Sequence, residues 1–279
     1  MNTDIKDKKY ECLIKSLKNF TRVAVAFSGG VDSSFLLAAA KNAVGDNVIA
    51  VTVDSPAFPR FELEDSIKLC KLLRVRHFII KEVNIEESLK HNPVNRCYHC
   101  KKTEFGTIKA KAAEIGINFV LDGSNADDLQ DFRPGMKASR EIGVMSPLLD
   151  AGITKDEIRS FSKLLGLPTW DKPSYACLYS RIPYGQEIKK EDLEKVEKSE
   201  RFLFRLGFKN IRVRCHGDLA RIETDPSDHS KLFTDPLRTE VVSGLKSFGF
   251  SFITIDLMGY RSGSFNEQLS AAIRSNFTL

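Results

Sequence analysis

Apolar residues recur along this chain with two different periods, and the two alternate. Val23 to Phe27 is a short continuous apolar run rich in valine, the mark of a strand buried on both faces. Asn47 to Asp54, His77 to Asn84 and Asn118 to Asp122 repeat it, and Asp54-Ser55 and the polar stretch after Asp122 fall at strand ends. Between them the apolar spacing switches to three and four. Residues 8–20 read as an amphipathic helix with Cys12 among its apolar positions, so a buried thiol is expected there. Phe35 to Ala40 opens a second helix, and Lys101 to Ile115 forms another. Phe61 to Arg74 is helical by the spacing of Leu63, Ile67, Leu69, Cys70 and Leu73. Thr154 followed three residues on by Glu157 is a capping box, and its helix runs to Leu165 before Gly166-Leu167-Pro168. Strands alternating with helices predict an α/β fold on a parallel sheet with right-handed crossovers.

Near Gln186 the pattern changes character. Asp192 to Leu206 is a charged amphipathic helix stopped by Gly207, and Asn210 to Cys215 with Leu219 to Glu223 reads as a hairpin turning at Gly217-Asp218. A helix over about 236–248 and a strand over 252–257 complete an αββαβ order. The chain is therefore expected to divide into 1–185, an α/β domain, and 186–279, a small α+β domain.

Composition narrows the partners. The 279 residues, 42% of them hydrophobic, supply a sizeable core, and a net charge of +5 without a lysine or arginine block suits anionic small molecules better than nucleic acid. Residues 1–6 are polar, and no apolar run nears the roughly 18 residues of a membrane span. A soluble cytoplasmic protein is expected, and there six cysteines point to metal or catalysis before disulfides.

The sharpest motif is Ser28-Gly29-Gly30-Val31-Asp32-Ser33-Ser34, set between the first strand and the second helix. Two glycines let the chain bend tightly and bring backbone N–H groups toward an anion. Asp32, Ser33 and Ser34 stand where N-capping residues belong, and the helix dipole adds to the attraction. The result is a phosphate cradle. It has neither the Gly-Lys-Ser/Thr of a Walker loop nor the G-x-G-x-x-G of a dinucleotide site; it resembles the PP-loop of the ATP pyrophosphatases, which cut ATP between its α and β phosphates.

Cys97-Tyr98-His99-Cys100 places two thiols just ahead of a predicted helix, where the dipole favours thiolate. Cys177 lies in a proline-bounded loop rather than on an apolar face, unlike Cys12 and Cys70, while Cys215 is given no role. Three cysteines suit a [4Fe–4S] cluster with one iron left open to an exogenous sulfide; His99 as a fourth ligand would instead favour zinc.

Together these pieces resemble the PP-loop sulfur transferases of lactate-racemase cofactor assembly, the LarE family. The resemblance rests on residues 25–33, 120–123 and 131–135, on Cys177 with Ser180-Arg181-Ile182-Pro183-Tyr184-Gly185, on 212–223, and on 256–263. It implies adenylation of a carboxylate on pyridinium-3,5-biscarboxylic acid mononucleotide, then replacement of AMP by sulfur to give a thiocarboxylate for a nickel-pincer cofactor. ATP contacts are implied at Ala26, Ser28, Gly29, Gly30, Asp32, Ser33, Ser34 and Gly123, and a homo-oligomer, a hexamer in relatives, is implied as well.

The chemistry of that reaction fits the residues. A carboxylate becomes an electrophile only once its oxygen leaves as AMP, and charge on the transferring phosphorus calls for backbone donors and Mg²⁺, the latter at Asp32. Lys101, Ser180, Arg181, Arg212, Arg214 and Glu223 are expected around the substrate phosphate, since arginine forks match phosphate oxygens. Sulfur would come either from Cys177 itself, leaving dehydroalanine, or from sulfide on a cluster held by Cys97, Cys100 and Cys177 and refilled by a sulfide donor or sulfur carrier. Thiolation of tRNA and amide formation are the competing reactions on the same loop.

Overall fold

The β-branched runs pair side by side in the computed structural model of the protein, which describes residues 5–130, 134–173, 175–261 and 264–265. Among the described residues, β1 (Val23–Ala26), β2 (Val48–Asp54), β3 (Arg76–Lys81) and β4 (Phe119–Leu121) form a parallel sheet in the order β3-β2-β1-β4. Both faces are covered, which is why the strands read as continuous apolar runs. Val23, Val25, Val48, Ala50 and Leu121 pack with α1 (Lys8–Leu17), α2 (Val31–Val44) and, further along the chain, the helix Lys155–Leu164. Ala24, Ile49, Val51, Val53 and Val120 point to the other face, against Phe105, Ile108 and Ala112. Those three belong to α4 (Arg96–Glu114), which follows α3 (Arg60–Leu73). After β4 come α5 (Pro134–Ile142), α6 (Pro147–Asp150) and α7, the helix Lys155–Leu164 with both bonds of its Thr154/Glu157 capping box formed.

These elements make one compact unit, residues 5–83 with Asn95–Tyr175; the second takes Asn84–Val94 and the described part of 176–265. In that second unit α8 (Lys190–Arg205) precedes β5 (Ile211–His216) and β6 (Leu219–Thr224), an antiparallel pair. Short α9 (His229–Leu232), then α10 (Leu237–Ser247), lead to β7 (Phe252–Ile255), which pairs parallel with β6. No described helix is long and apolar enough to cross a membrane.

Three expectations need correction. Cys12 is exposed, because the buried stripe of α1 runs through Tyr10, Leu13 and Leu17 and Cys12 lies about 100° round from Leu13. The cap of α2 is Gly30 with no side-chain bond, so Asp32, Ser33 and Ser34 occupy the first turn instead. The helix carrying Cys97 and Cys100 begins at Arg96, so both lie inside it and not ahead of it. Cys70 and Cys215 are core thiols, each pushed up to about 12 by burial. Residues 131–133 and 262–263, part of the motifs above, lie outside the described residues.

His77 on β3 meets the hydroxyl of Thr52 at 2.8 Å, and that hydroxyl donates to the Phe27 carbonyl at 2.6 Å. Thr52 has one proton to give, so the imidazole Nε2 must carry the hydrogen of the second bond. Burial pushes His77 down to about 4. The unfolded imidazole, at about 6.5, binds its proton first on acidification, so this contribution to stability is present above about pH 6.5 and lost as pH falls toward about 4. Urea midpoints should therefore fall more steeply across that window in the wild type than in His77→Gln; parallel slopes would refute the linkage.

Candidate active site

In an open parallel sheet, ligands collect at the carboxyl ends of the strands where the order reverses. Here β2 and β3 extend to one side of β1 and β4 lies on the other, so the reversal falls between β1 and β4. The chain leaves β1 through Ser28, Gly29 and Gly30 and enters α2 there. Gly29 has φ +72°, and a Cβ on it would stand 3.1 Å from the Glu62 carbonyl oxygen and 3.2 Å from Ser66 Cβ. From the β4 side Gly123 comes so near that its Cβ would lie 2.9 Å from the Ser33 nitrogen. At Gly123 space alone excludes a side chain, and at Gly29 the positive φ disfavours one while its neighbours would have to give way by a few tenths of an ångström. A ring of weak bonds shapes the turn: the Gly30 N–H donates to Ser28 Oγ at 3.4 Å, Ser28 and Ser33 hydroxyls meet at 3.1 Å, and Ser33 Oγ donates to the Gly30 carbonyl at 3.2 Å. With no side chain capping α2, its first-turn N–H groups are left to face a ligand.

Charges surround this turn. Asp32 Oδ2 binds Lys155 Nζ at 2.5 Å, while its Oδ1 is buried with no hydrogen-bond partner among the described residues. An orphaned buried carboxylate oxygen is a fit for a hard cation such as Mg²⁺. Lys172 reaches the Gly29 carbonyl at 3.3 Å, Glu62 at 2.8 Å and Asp65 at 3.1 Å. Arg159 in turn donates to the Trp170 and Lys172 carbonyls at 2.8 and 2.9 Å. Ala26 closes β1 beside Val51, buried Ser34 donates its N–H to Gly30, and Asp54 is paired with Arg60.

Cys97 and Cys100 stand three residues apart at the start of α4, on one helix face, both half-buried and outside any disulfide. His99 Nε2 lies 2.9 Å from the Asn95 amide. Lys101 pairs with Glu104 at 2.8 Å; burial works against its charge, but Glu104, with Cys100 and Asp122, raises its pKa. α5 lies close against this turn, for a Cβ on Gly135 would come within 2.9 Å of Lys101 Cγ. Among the described residues no group of three or more His, Cys, Asp or Glu side chains is set to hold a metal ion.

The second unit holds Cys177, half-buried at the mouth of a short turn. Its carbonyl accepts from the Ser180 N–H at 3.0 Å, the Ser180 hydroxyl at 2.8 Å and Arg181 at 3.2 Å. Arg181 is fully buried, its guanidinium forked onto Glu200 at 2.9 and 3.0 Å and also bound to the Ala176 carbonyl and the Ser180 hydroxyl. The donors expected to grip phosphate are thus engaged in holding the Cys177 turn. Burial alone would raise the Glu200 carboxyl, but Arg181, with Arg212 and the Val213 N–H, holds it below the usual range.

Arg214 binds the Ser180 carbonyl at 2.7 Å and Glu223 at 2.6 Å, and Glu223 also takes Arg221 at 3.0 Å and the Ser264 hydroxyl at 3.0 Å. The ring of Phe265 lies under Arg214 and Arg221, and Tyr260 under Arg212. Burial lowers both Arg214 and His216, and the nearby arginines push His216 further down.

Sequence reasoning passed over Lys155, Lys172 and Glu200, yet two of them left a signal. Lys155 is a cation at the positive end of α7, where the dipole opposes it. Glu200 sits on the apolar stripe of α8 with Leu193, Val196 and Leu203. A charge in such a place needs a partner.

Comparison with known proteins bears on both units. The NAD synthase family model matches residues 10–114. An uncharacterized protein of Synechocystis sp. is 40% identical over 265 residues, 95% of this chain and 99% of that protein. The pyridinium-3,5-bisthiocarboxylic acid mononucleotide synthase of Lactiplantibacillus plantarum is 35% identical over 274 residues, 96% of this chain and 98% of that protein. An uncharacterized protein of Methanocaldococcus jannaschii is 32% identical over 241 residues, 86% of this chain and 91% of that protein.

Removing one partner of a buried ion pair leaves the other charge uncompensated. Glu200→Ala should therefore destabilise the second unit by about 3–5 kcal/mol in urea unfolding. An unchanged midpoint would show that Arg181 finds its acceptors elsewhere.

Proposed function

The chain belongs to the family of the pyridinium-3,5-bisthiocarboxylic acid mononucleotide synthase, the LarE sulfur transferases, and on that premise we propose that it adenylates a carboxylate of pyridinium-3,5-biscarboxylic acid mononucleotide with ATP and converts it to a thiocarboxylate. The observation that carries this reading is the uncapped start of α2 at the strand-order reversal, backed by Gly123. A carboxylate oxygen attacks the α phosphorus of ATP, and pyrophosphate leaves with the broken bond's electrons. Sulfide then attacks the carbonyl carbon of the acyl-adenylate, and AMP leaves with the electrons of the acyl C–O bond; where the Cys177 thiolate attacks instead, the resulting thioester loses the Cα proton of Cys177 to a base and its Cβ–S bond breaks, leaving dehydroalanine and releasing the thiocarboxylate. In the first step the N–H groups of α2 would take up phosphate charge, Lys155, paired with Asp32, would add a cation at the same helix start, and Asp32 would hold Mg²⁺ through its unpartnered oxygen. Mg²⁺, when bound, offsets charge on the leaving pyrophosphate.

For the second step the proposed ligands of a [4Fe–4S] cluster are Cys97, Cys100 and Cys177. The first two fit such a role by sharing one face of α4, and Cys177 would be the third thiolate. A cluster of this kind supplies an open iron that can hold sulfide. Lys101, Ser180, Arg181, Arg212, Arg214 and Glu223 are assigned to the substrate phosphate, with Arg181 acting through the Cys177 turn. On this reading the first unit carries the nucleotide chemistry with Cys97 and Cys100, the second, from Ala176 with 84–94, carries Cys177 and serves substrate binding and assembly into a homo-oligomer, and a cytoplasmic sulfide donor or sulfur carrier restores the sulfur.

Protein purified without oxygen should contain about four iron and at least about four sulfide per chain, with a broad brown absorption. Zinc in place of iron would remove the cluster. Cys97→Ala should lose that iron yet still release pyrophosphate from ATP in the presence of substrate, and Gly123→Ala should do the reverse, keeping iron while pyrophosphate release falls at least about tenfold. Mass spectrometry after turnover distinguishes the sulfur sources, since a loss of about 34 Da at Cys177 would mark it as the donor and overturn the catalytic cluster.

A further inference from the structure

Residues 84–94 belong to the second unit although they precede the Cys97 helix in the chain, and they carry an unusual asparagine. Asn92 is fully buried, and its backbone lies at φ +44°, a left-handed conformation that few residues besides glycine adopt. Its side-chain amide donates to two consecutive carbonyls, Ile182 at 2.6 Å and Pro183 at 2.9 Å. Backbone bonds flank this contact: the Gly185 N–H donates to the Asn92 carbonyl at 3.2 Å, and the Ile188 N–H donates to the Lys90 carbonyl at 2.7 Å. Residues 182–188 are thereby fastened along 90–92.

The fastened segment is the direct continuation of the Cys177 turn, which ends at Arg181. That turn is already gripped near its start, where Arg181 and Ser180 hold the Cys177 carbonyl. Asn92 grips the other end. An aspartate at 92 would set a carboxylate against two carbonyls, and a leucine would leave the Ile182 carbonyl without this donor and that of Pro183 with only the Gln186 N–H at 3.3 Å. The amide is the group that fits both the left-handed backbone and the pair of acceptors.

We infer that Asn92 is a positioning residue for sulfur transfer. It sets the exit of the Cys177 turn and so the direction in which the Cys177 thiol and Ser180 are presented, an inference that rests on Cys177 being the sulfur-site residue. Because Arg181 and Glu200 anchor the turn independently, losing the Asn92 bonds should loosen its far end without unfolding the unit. The nucleotide site lies in the other unit and should not register the change.

Asn92→Gly keeps the left-handed backbone and removes both side-chain bonds; Asn92→Asp keeps the shape and supplies no donor when charged. In each, iodoacetamide labelling of Cys177 should change at least about fivefold by peptide mass spectrometry, with exposed Cys12 as an unchanged internal reference. The kcat for thiocarboxylate formation should fall about tenfold or more. The KM for ATP and the rate of pyrophosphate release should stay within about twofold of wild type. If Asn92→Gly does not fold, Asn92→Asp answers the same question. Unchanged labelling and unchanged sulfur transfer overturn the inference, as does a parallel loss of pyrophosphate release, which would mark a general structural role. Failure of the underlying reading looks different: Cys177→Ser would then transfer sulfur at the wild-type rate whatever happens at Asn92.

Discussion

One helix end is left without a cap, and much of the larger unit is arranged to keep it so. A turn offers carbonyls as readily as N–H groups, and an anion would be repelled by the first. Here the carbonyls of Phe27, Gly29 and Gly30 are each drawn away by a donor. Thr52 takes that of Phe27 and is itself fixed by His77, Lys172 takes that of Gly29, and Ser33 and the Ser34 N–H take that of Gly30. The head of α2 then offers its N–H groups, on the positive end of the dipole. Gly123 closes the other wall with bare backbone. The cradle is thus a consequence of where the carbonyls go as much as of where the glycines stand.

The second unit solves a different problem with buried charge. Buried ion pairs give little net stability against apolar packing, but they punish any arrangement in which a partner is missing. Arg181 with Glu200 and Arg214 with Glu223 are two such pairs, and both arginines also bind Ser180, one at its hydroxyl and the other at its carbonyl. Ser180 is therefore the point at which two buried pairs meet, three residues after Cys177. The cost of misplacing that turn is the cost of stranding a guanidinium in the core. Such an arrangement specifies one geometry for the thiol more firmly than apolar contacts would.

How far the chain announces this differs from element to element. The parallel strands were open to reading because burial on both faces makes them continuous runs, as in Val23 to Phe27. The second unit's αββαβ order was equally open, with Gly217 marking the hairpin by its φ of +66°. Cys12 misled because membership in an amphipathic helix was taken for membership in its stripe, and the two differ by a fraction of a turn. α5 gave little warning, since Pro134-Gly135 reads as a turn and the helix buries small residues such as Ala138 and Ser139. Arg181 was legible as a candidate phosphate arginine but not as a buried one. Its partner Glu200 lies 19 residues on, and pairing across that separation is a property of the fold. Asn92 had no signal beyond the proline that follows it.

The division into two units bears on what the cysteines can do. Described residues pass between units after Val83, after Val94 and after Tyr175. Cys97 follows the second of these passages by three residues, and Cys177 follows the third by two. A residue that close to a crossing is tied by a short length of backbone to both bodies, so its freedom is limited by each. Asn92 stands at one of these crossings, two residues before Val94, with its amide on the continuation of the Cys177 turn. The cysteines proposed for sulfur chemistry thus lie on the same short stretches where the described chain passes from one unit to the other.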